Sequence, residues 1–457
     1  MRFGAHDTQA INDLILYTIA ALLGETGENT TSIVLKDGAM STIPMQVENR
    51  HTPISDVDPY SDAALIDPWD MYRSLRSQGP AVWLTRYRMF ALTRYASVSR
   101  ALKDASAFSS ASGVMMNDDM NLVLRGNTLC TDGDDHQRLR RVIARPLTPI
   151  ALDSLKSEID AKAELLVDRL VRKREFCAVA ELATALPVDI VASAVGLPQE
   201  GRERMLIWAE QLFNCFGPLN DRARDAFPVV HEMMHYAATL AVRGKLRPGS
   251  WAEAVIDAVD RGEVDEAVRP ALMIDYMGPS LDTTIWAIGS GVWLFARHPA
   301  EWRMVCEAPS LVPSAVNEIL RMEAPVQGFS RLVTRDYDMS GITLPAGSRA
   351  IAFYGAANRD ERKFADPDTF DITRGSADQL AFGSGPHICV GLHLARLEMA
   401  AIFRALAWRR ASMKSARVPD RMDLGPLDRR RRPTTGSLGH YRSNRTLVIT
   451  SCGHPDP

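Results

Sequence analysis

Between Phe382 and Gly391 the chain reads FGSGPHICVG, with Gly383, Gly385, Gly391 and Pro386 crowded around Cys389. No other segment restricts the fold as tightly. Glycines let the backbone fold closely around a flat ligand, and the apolar periodicity that follows predicts a helix opening at Val390. A cysteine at such a helix start gains from the positive end of the dipole and from free backbone N–H groups, which lower a thiol pKa. A dinucleotide-binding loop does not fit. Ile388 stands where its third glycine belongs, and no βαβ context surrounds it.

Composition excludes several classes. The 457 residues carry 53 Lys and Arg against 56 Asp and Glu, a net charge of −3, so nothing pulls the whole chain toward nucleic acid or an anionic membrane. Hydrophobic residues at 46% and charged residues at 24% belong to an ordinary globular protein. The six cysteines, Cys130, Cys177, Cys215, Cys306, Cys389 and Cys452, show no CxxC or finger spacing. A reducing, cytoplasmic location is the simple expectation. The apolar stretch 11–23 is too short to span a bilayer and lacks a basic start and a cleavage site. Residues 1–50 therefore read as a leader outside the fold, and 51–457 as one catalytic domain without repeats or a low-complexity linker.

Apolar residues at three- and four-residue intervals predict helices over 68–76, 98–103, 136–144, 152–173, 202–214, 226–243, 268–296, 312–322 and 390–410. Shorter alternating or apolar runs predict strands over 81–85, 89–92, 329–333, 342–344, 348–353 and 446–449. The expected fold is mainly α with small β-sheets, an α+β arrangement. The arginine run 429–432 reads as a solvated turn.

The window 382–391, followed by Leu394-Ala395-Arg396-Leu397-Glu398, resembles the haem-binding loop of cytochrome P450 monooxygenases. The resemblance covers about residues 55–450. It implies the P450 fold, with haem b between an oxygen-activating helix and the cysteine loop, and Cys389 as the thiolate ligand of the iron. Three further windows match the family. Glu318 and Arg321 form an ExxR pair one turn apart, with Arg374 as its usual third partner, a structural role. Asp282 and Thr283 match the acid–alcohol pair that delivers protons to bound oxygen. His136 and Arg140 match an HxxxR pattern which, with Arg331 and His387, would meet the haem propionates. Pro279 and Ser280 stand where the family usually has a small residue and glycine. Pro279 should open or kink that helix.

Phe213–Pro218, 324–327, 356–360 and 370–374 are similar to the bacterial branch that oxidises para-substituted benzoates. In that branch an arginine and serines hold the substrate carboxylate, at positions that here read Ser112, Asp275 and Gly278. An anion at Asp275 would repel a benzoate. Val114, Met115, Phe213, Phe216, Met277, Val326 and Phe329 would complete an apolar pocket. Arg138, Arg141 and Arg145 fall on one helix face, which either docks an acidic ferredoxin or is simply solvated.

The resemblance implies a monooxygenase that inserts one atom of O₂ into a small aromatic molecule by hydroxylation or O-demethylation. Electrons would come from NAD(P)H through a reductase and a [2Fe–2S] ferredoxin, since the chain carries no flavin or iron–sulfur motif. Neither nucleic acid nor a membrane is an expected partner. Two alternatives stay open at this stage: a peroxide-driven peroxygenase, against which Asp282 and Thr283 argue, and a catalytically silent haem or ligand-binding protein.

Overall fold

The computed structural model describes residues 52–173, 176–415 and 447–451. The expected leader and the arginine run 429–432 lie outside the described residues.

Helices dominate, and a mixed six-stranded sheet flanks them. Its strands are β1 (Ile54–Ser55), β2 (Val82–Leu84), β3 (Met89–Leu92), β4 (Phe108–Ser109), β5 (Gly328–Val333) and, after a small β6–β7 pair (Tyr337–Met339, Ile342–Leu344), β8 (Arg349–Phe353). The order is β1-β2-β3-β8-β5-β4. β8 sits centrally, parallel to β3 with Phe90 opposite Ala350 and antiparallel to β5 with Phe329 opposite Ala352. Ala350, Ile351, Ala352 and Phe353 are all buried, which is why this strand reads as a continuous apolar run. A hairpin of β9 (Ala411–Ser415) and β10 (Leu447–Ser451) takes residues next to the end of the expected 390–410 helix, which stops at Trp408.

Three helices make the core around the cysteine loop. Asp282–Arg297 packs against Val312–Met322 and Leu392–Trp408, and the last also lies along the long Pro149–Lys173 helix. Contact is close: a β-carbon on Gly291 would sit 2.3 Å from Phe403 Cζ. Phe295 meets Trp302, Phe370 and Phe403 at ring separations of 4.9, 5.5 and 5.4 Å.

The sequence and the structure part company in places. The expected helix 268–296 is opened at Pro279, as that residue implied, so far that it becomes two helices, Arg269–Met277 and Asp282–Arg297. The 226–243 segment begins earlier, at Asp221, where the Asn220 side chain caps the Ala223 N–H at 3.1 Å, and ends at Thr239. The buried helix Ala185–Val195 was not expected, since apolar residues on nearly every side leave it without a periodic stripe. With the turn before it, 178–195 is long and apolar enough to cross a membrane, but 61% of it is buried inside the fold. The helix Trp251–Asp260 was also missed. Its N-terminus is capped by Ser250 Oγ, which accepts from Glu253 N, while the Glu253 carboxylate accepts from Gly249 N just before the cap.

The ExxR pair is wholly buried. Arg321 Nε donates to Glu318 at 2.7 Å, with both side chains 0% exposed. Arg374 Nε and Ser376 Oγ also donate to Glu318, at 3.2 and 2.7 Å. The Arg321 guanidinium additionally reaches the carbonyls of Asn358, Pro367 and Thr369. Removing one partner from a buried pair strands the other charge. Arg321→Ala is expected to cost about 3–5 kcal/mol, read as a lost or sharply lowered thermal transition.

Glu398, on the Leu392–Trp408 helix, is also fully buried, and neither carboxyl oxygen meets a hydrogen-bond partner among the described residues. Burial pushes its pKa from 4.5 up to about 8. Between those values the folded chain keeps a proton that the unfolded chain releases, so the stabilisation is complete below pH 4.5 and is lost as pH rises through about 8. Glu398→Gln, a permanent mimic of the neutral acid, is expected to match the parent in thermal scans near the acidic end. Its transition should rise above the parent by a few degrees at about pH 9.

Candidate active site

The cysteine loop is shaped by two left-handed glycines, Gly383 at φ +71° and Gly385 at φ +72°. At Gly385 the turn presses on the end of the Tyr95–Lys103 helix, where a β-carbon would lie 2.3 Å from the Leu102 carbonyl oxygen. Cys389 N–H donates to Phe382 O at 2.8 Å and Ile388 N–H to Gly385 O at 3.1 Å, closing the loop. The following helix begins at Leu392 with Gly391 as its cap, two residues later than the sequence predicts. Cys389 therefore sits just outside the helix, its side chain opening into a cavity.

That placement corrects the expected thiol chemistry. Burial pushes the Cys389 thiol up, and the Gly391 and Leu392 N–H groups, Arg140 and Arg396 pull it down without reversing the shift. The helix end alone does not hold this sulfur as an anion. A bound metal cation deprotonates a coordinating thiol outright.

The cavity has a volume of about 240 Å³. Cys389, Arg140, Arg331, His387, Thr283, Asp275, Phe213, Phe216, Val326 and Phe329 all line it, so half of the sequence-predicted site residues converge. Phe213, Phe216, Phe329 and Tyr354 form a chain of rings at separations of 4.7, 5.7 and 6.2 Å.

Five predicted pocket residues are not on this wall. Ser112 offers its carbonyl to Arg349 at 3.2 Å and borders a different surface cavity. Val114 and Met115 are 1% exposed, with their carbonyls accepting from Ser330 N and Oγ, which turns that segment into the core. Met277 is fully buried, and Gly278 lies so close to Leu212 that a β-carbon would be 2.4 Å from Cδ2. Thr128, Leu212 and Tyr354 line the cavity but were missed; the first opens a three-residue 3₁₀ turn, Thr128–Cys130, too short to give a periodic signal, whereas Tyr354 follows the β8 strand directly.

Polar groups gather on the cysteine side of the cavity. Arg140 donates through its guanidinium to the Ile388 carbonyl, tying the Gly133–Ala144 helix to the loop. His136 and His387 stack with centroids 4.1 Å apart, and His387 Nε2 meets Asp132 at 3.1 Å. Burial, then His387 and Arg140, push His136 down to about 4, so at neutral pH it is an uncharged hydrogen-bonding group. Its Nε2 is buried without a partner among the described residues. Burial raises Asp132, but hydrogen bonds from His387, Ser109 and the Ala111 and Ser110 N–H groups prevail and bring it to about 2. Arg331 is 3% exposed beside the Tyr354 hydroxyl.

The broken helix also reaches the cavity. The Thr283 hydroxyl donates to the Pro279 carbonyl at 3.0 Å, and Ser280 Oγ donates to the Tyr276 carbonyl, so side chains fill the break. Asp282 is 2% exposed and does not line the cavity, whereas Thr283 does. On the outer face of the Gly133–Ala144 segment, Arg138 pairs with Asp135 at 2.9 Å and Arg145 with Glu263 at 2.8 Å, leaving Arg141 as the more open cation of the three.

A mostly apolar cavity lined by one cysteine sulfur, an alcohol and cationic and imidazole groups suits a haem held by a thiolate. Comparisons with known proteins agree. The cytochrome P450 family model matches residues 300–407. Cytochrome p450 CYP199A2 of Rhodopseudomonas palustris is 35% identical over 86% of this chain and 95% of its own. The vitamin D(3) 25-hydroxylase of Pseudonocardia autotrophica is 31% identical over 75% and 86%. Among solved structures, P450BioI in complex with an acyl carrier protein superposes with a TM-score of 0.71 at 27% identity, covering 78% of this chain and 95% of that one. The chain belongs to the cytochrome P450 family, whose members are monooxygenases built on haem b.

The residues present fit that group. Among the described residues no cluster of three or more His, Cys, Asp or Glu is placed to hold a bare metal ion, so a single thiol ligand suits a metal carried by a macrocycle. The orphaned His136 Nε2 and the nearby Arg140, Arg331 and His387 suit its acidic substituents.

Gly385→Ala tests the loop geometry. It places a methyl against a backbone oxygen at a positive φ, so the purified protein is expected to retain far less haem than the parent, measured as the ratio of haem to protein absorbance.

Proposed function

We propose that this protein oxygenates a small, apolar, aromatic-bodied molecule by hydroxylation or O-demethylation. The supporting observation is that Thr283 and Cys389 line the same aromatic-walled cavity. On this reading Cys389 is the iron ligand, and His136, Arg140, Arg331 and His387 hold the propionates. Bound haem supplies the oxidising chemistry.

The remaining work belongs to the chain. The Phe213, Phe216, Val326 and Phe329 walls exclude water and position the substrate body. Thr283, oriented by the Pro279 carbonyl, presents its hydroxyl oxygen to the cavity and passes protons inward. Asp282, buried behind it at the helix start, is the acid that resupplies them. Glu318, Arg321 and Arg374 are structural.

Electrons arrive from NAD(P)H through a reductase and a [2Fe–2S] ferredoxin, which docks at the face bearing Arg138, Arg141 and Arg145. The catalytic unit is the single domain over 51–457, working in the cytoplasm.

Thr283→Val keeps the shape and removes the proton. It is expected to leave substrate affinity within about twofold and to lower product formed per NADH consumed by about tenfold or more, with the difference appearing as hydrogen peroxide. Unchanged coupling would remove Thr283 from the relay. Turnover driven as well by peroxide alone as by ferredoxin would replace the reading with a peroxygenase.

A further inference from the structure

Asp275 is the one carboxylate among the described residues lining the cavity. It stands on the Arg269–Met277 helix, before the break that separates it from Thr283, in a cavity wall that is otherwise mostly apolar and aromatic. Its Oδ2 accepts from Thr128 N–H at 3.1 Å and from Thr128 Oγ1 at 2.8 Å. No donor among the described residues reaches Oδ1. These two bonds fix the carboxyl in place but leave half of its acceptor capacity open to the cavity. Arg140 is the cation that acts on it through space, yet its guanidinium is engaged with the Ile388 carbonyl.

A carboxylate in an apolar cavity is costly until a donor meets it, and a second anion there is repelled more strongly than in water. We propose that Asp275, held by Thr128, is the polar anchor of the substrate pocket and selects molecules that carry a hydrogen-bond donor, a protonated amine above a hydroxyl, over carboxylates. The inference rests on the monooxygenase reading and names its substrate class. Burial also raises the Asp275 carboxyl to about 6, with the two Thr128 bonds and Arg140 opposing the rise, which leaves it mostly ionised at neutral pH and ready for a cation. A charge-assisted bond is about twice as strong as a neutral one, which ranks the amine first.

The test uses the haem-loaded full chain and four ligands of one shape: para-methylbenzylamine, para-methylbenzyl alcohol, para-xylene and para-methylbenzoate. Dissociation constants come from calorimetry, and the direction of the visible-spectrum shift separates pocket binding from an amine ligating iron. The parent is expected to bind the amine at least about tenfold tighter than para-xylene and the benzoate weakest. Asp275→Asn should erase the advantage of the amine and tighten the benzoate by about tenfold, with para-xylene unchanged. An unaltered order, an equal loss for all four ligands, or an amine held only at iron would overturn the proposal. Should Asp275→Asn fail to take up haem, Thr128→Val releases one of the two holds, and an amine-to-xylene ratio that does not move overturns it equally. The reduced carbon monoxide spectrum keeps the two ideas apart: without a thiolate-type band the monooxygenase reading itself fails, whatever the ligands do.

Discussion

The buried carboxylate of Glu318 is the point on which the cysteine side of the molecule hangs. It receives Arg321, Arg374, Ser376 and the Asp371 N–H, and Arg321 in turn gathers carbonyls from Asn358, Pro367 and Thr369. Ions taken out of water are tolerated only when every lone pair and proton is used. Here the segment 358–376, with little regular structure of its own, supplies those partners and is fixed by doing so. The cysteine loop follows directly after it. A helix-borne ion pair thus positions a sulfur with which it makes no contact.

Much of this was legible in the chain because the constraints were local. The turn at Gly385 cannot accept a side chain, and Cys389 must follow it before a helix can begin, so composition and order carry the geometry. Glu318 and Arg321 were visible as a spacing, but nothing in a spacing says that both side chains have no exposure. The pocket was less legible for a physical reason. Phe213, Phe216, Val326 and Phe329 line the cavity while Val114, Met115 and Met277, equally apolar, are spent on the core, and only packing decides between those fates. Thr128 lies in a single 3₁₀ turn too short to show a period, so its pairing with Asp275 could not be read before the chain was folded. The thiol shift went the other way from the local expectation because burial outweighed the helix end.

The cavity also sorts its charges. Arg140 and His387 stand at the cysteine loop and Asp275 on the helix segment before the break, with Arg140 close enough to act on both Cys389 and Asp275. A low-dielectric enclosure amplifies such a division. On the proposed reading, the groups about the cysteine loop take the acidic substituents of haem and Asp275 takes a donor, so a ligand meets a field as well as a shape.

The break at Pro279 divides one helix into parts with different neighbours. Asp282–Arg297 is locked against Phe403 at Gly291, whereas the segment ending at Gly278 bears on Leu212. Backbone hydrogen bonding is interrupted between them, so a change of residue on one side is not carried to the other through a continuous ladder. On the proposed reading the upstream piece bears Asp275, which chooses the molecule, and the downstream piece bears Thr283, which serves the reaction, so the two tasks rest on separately held segments.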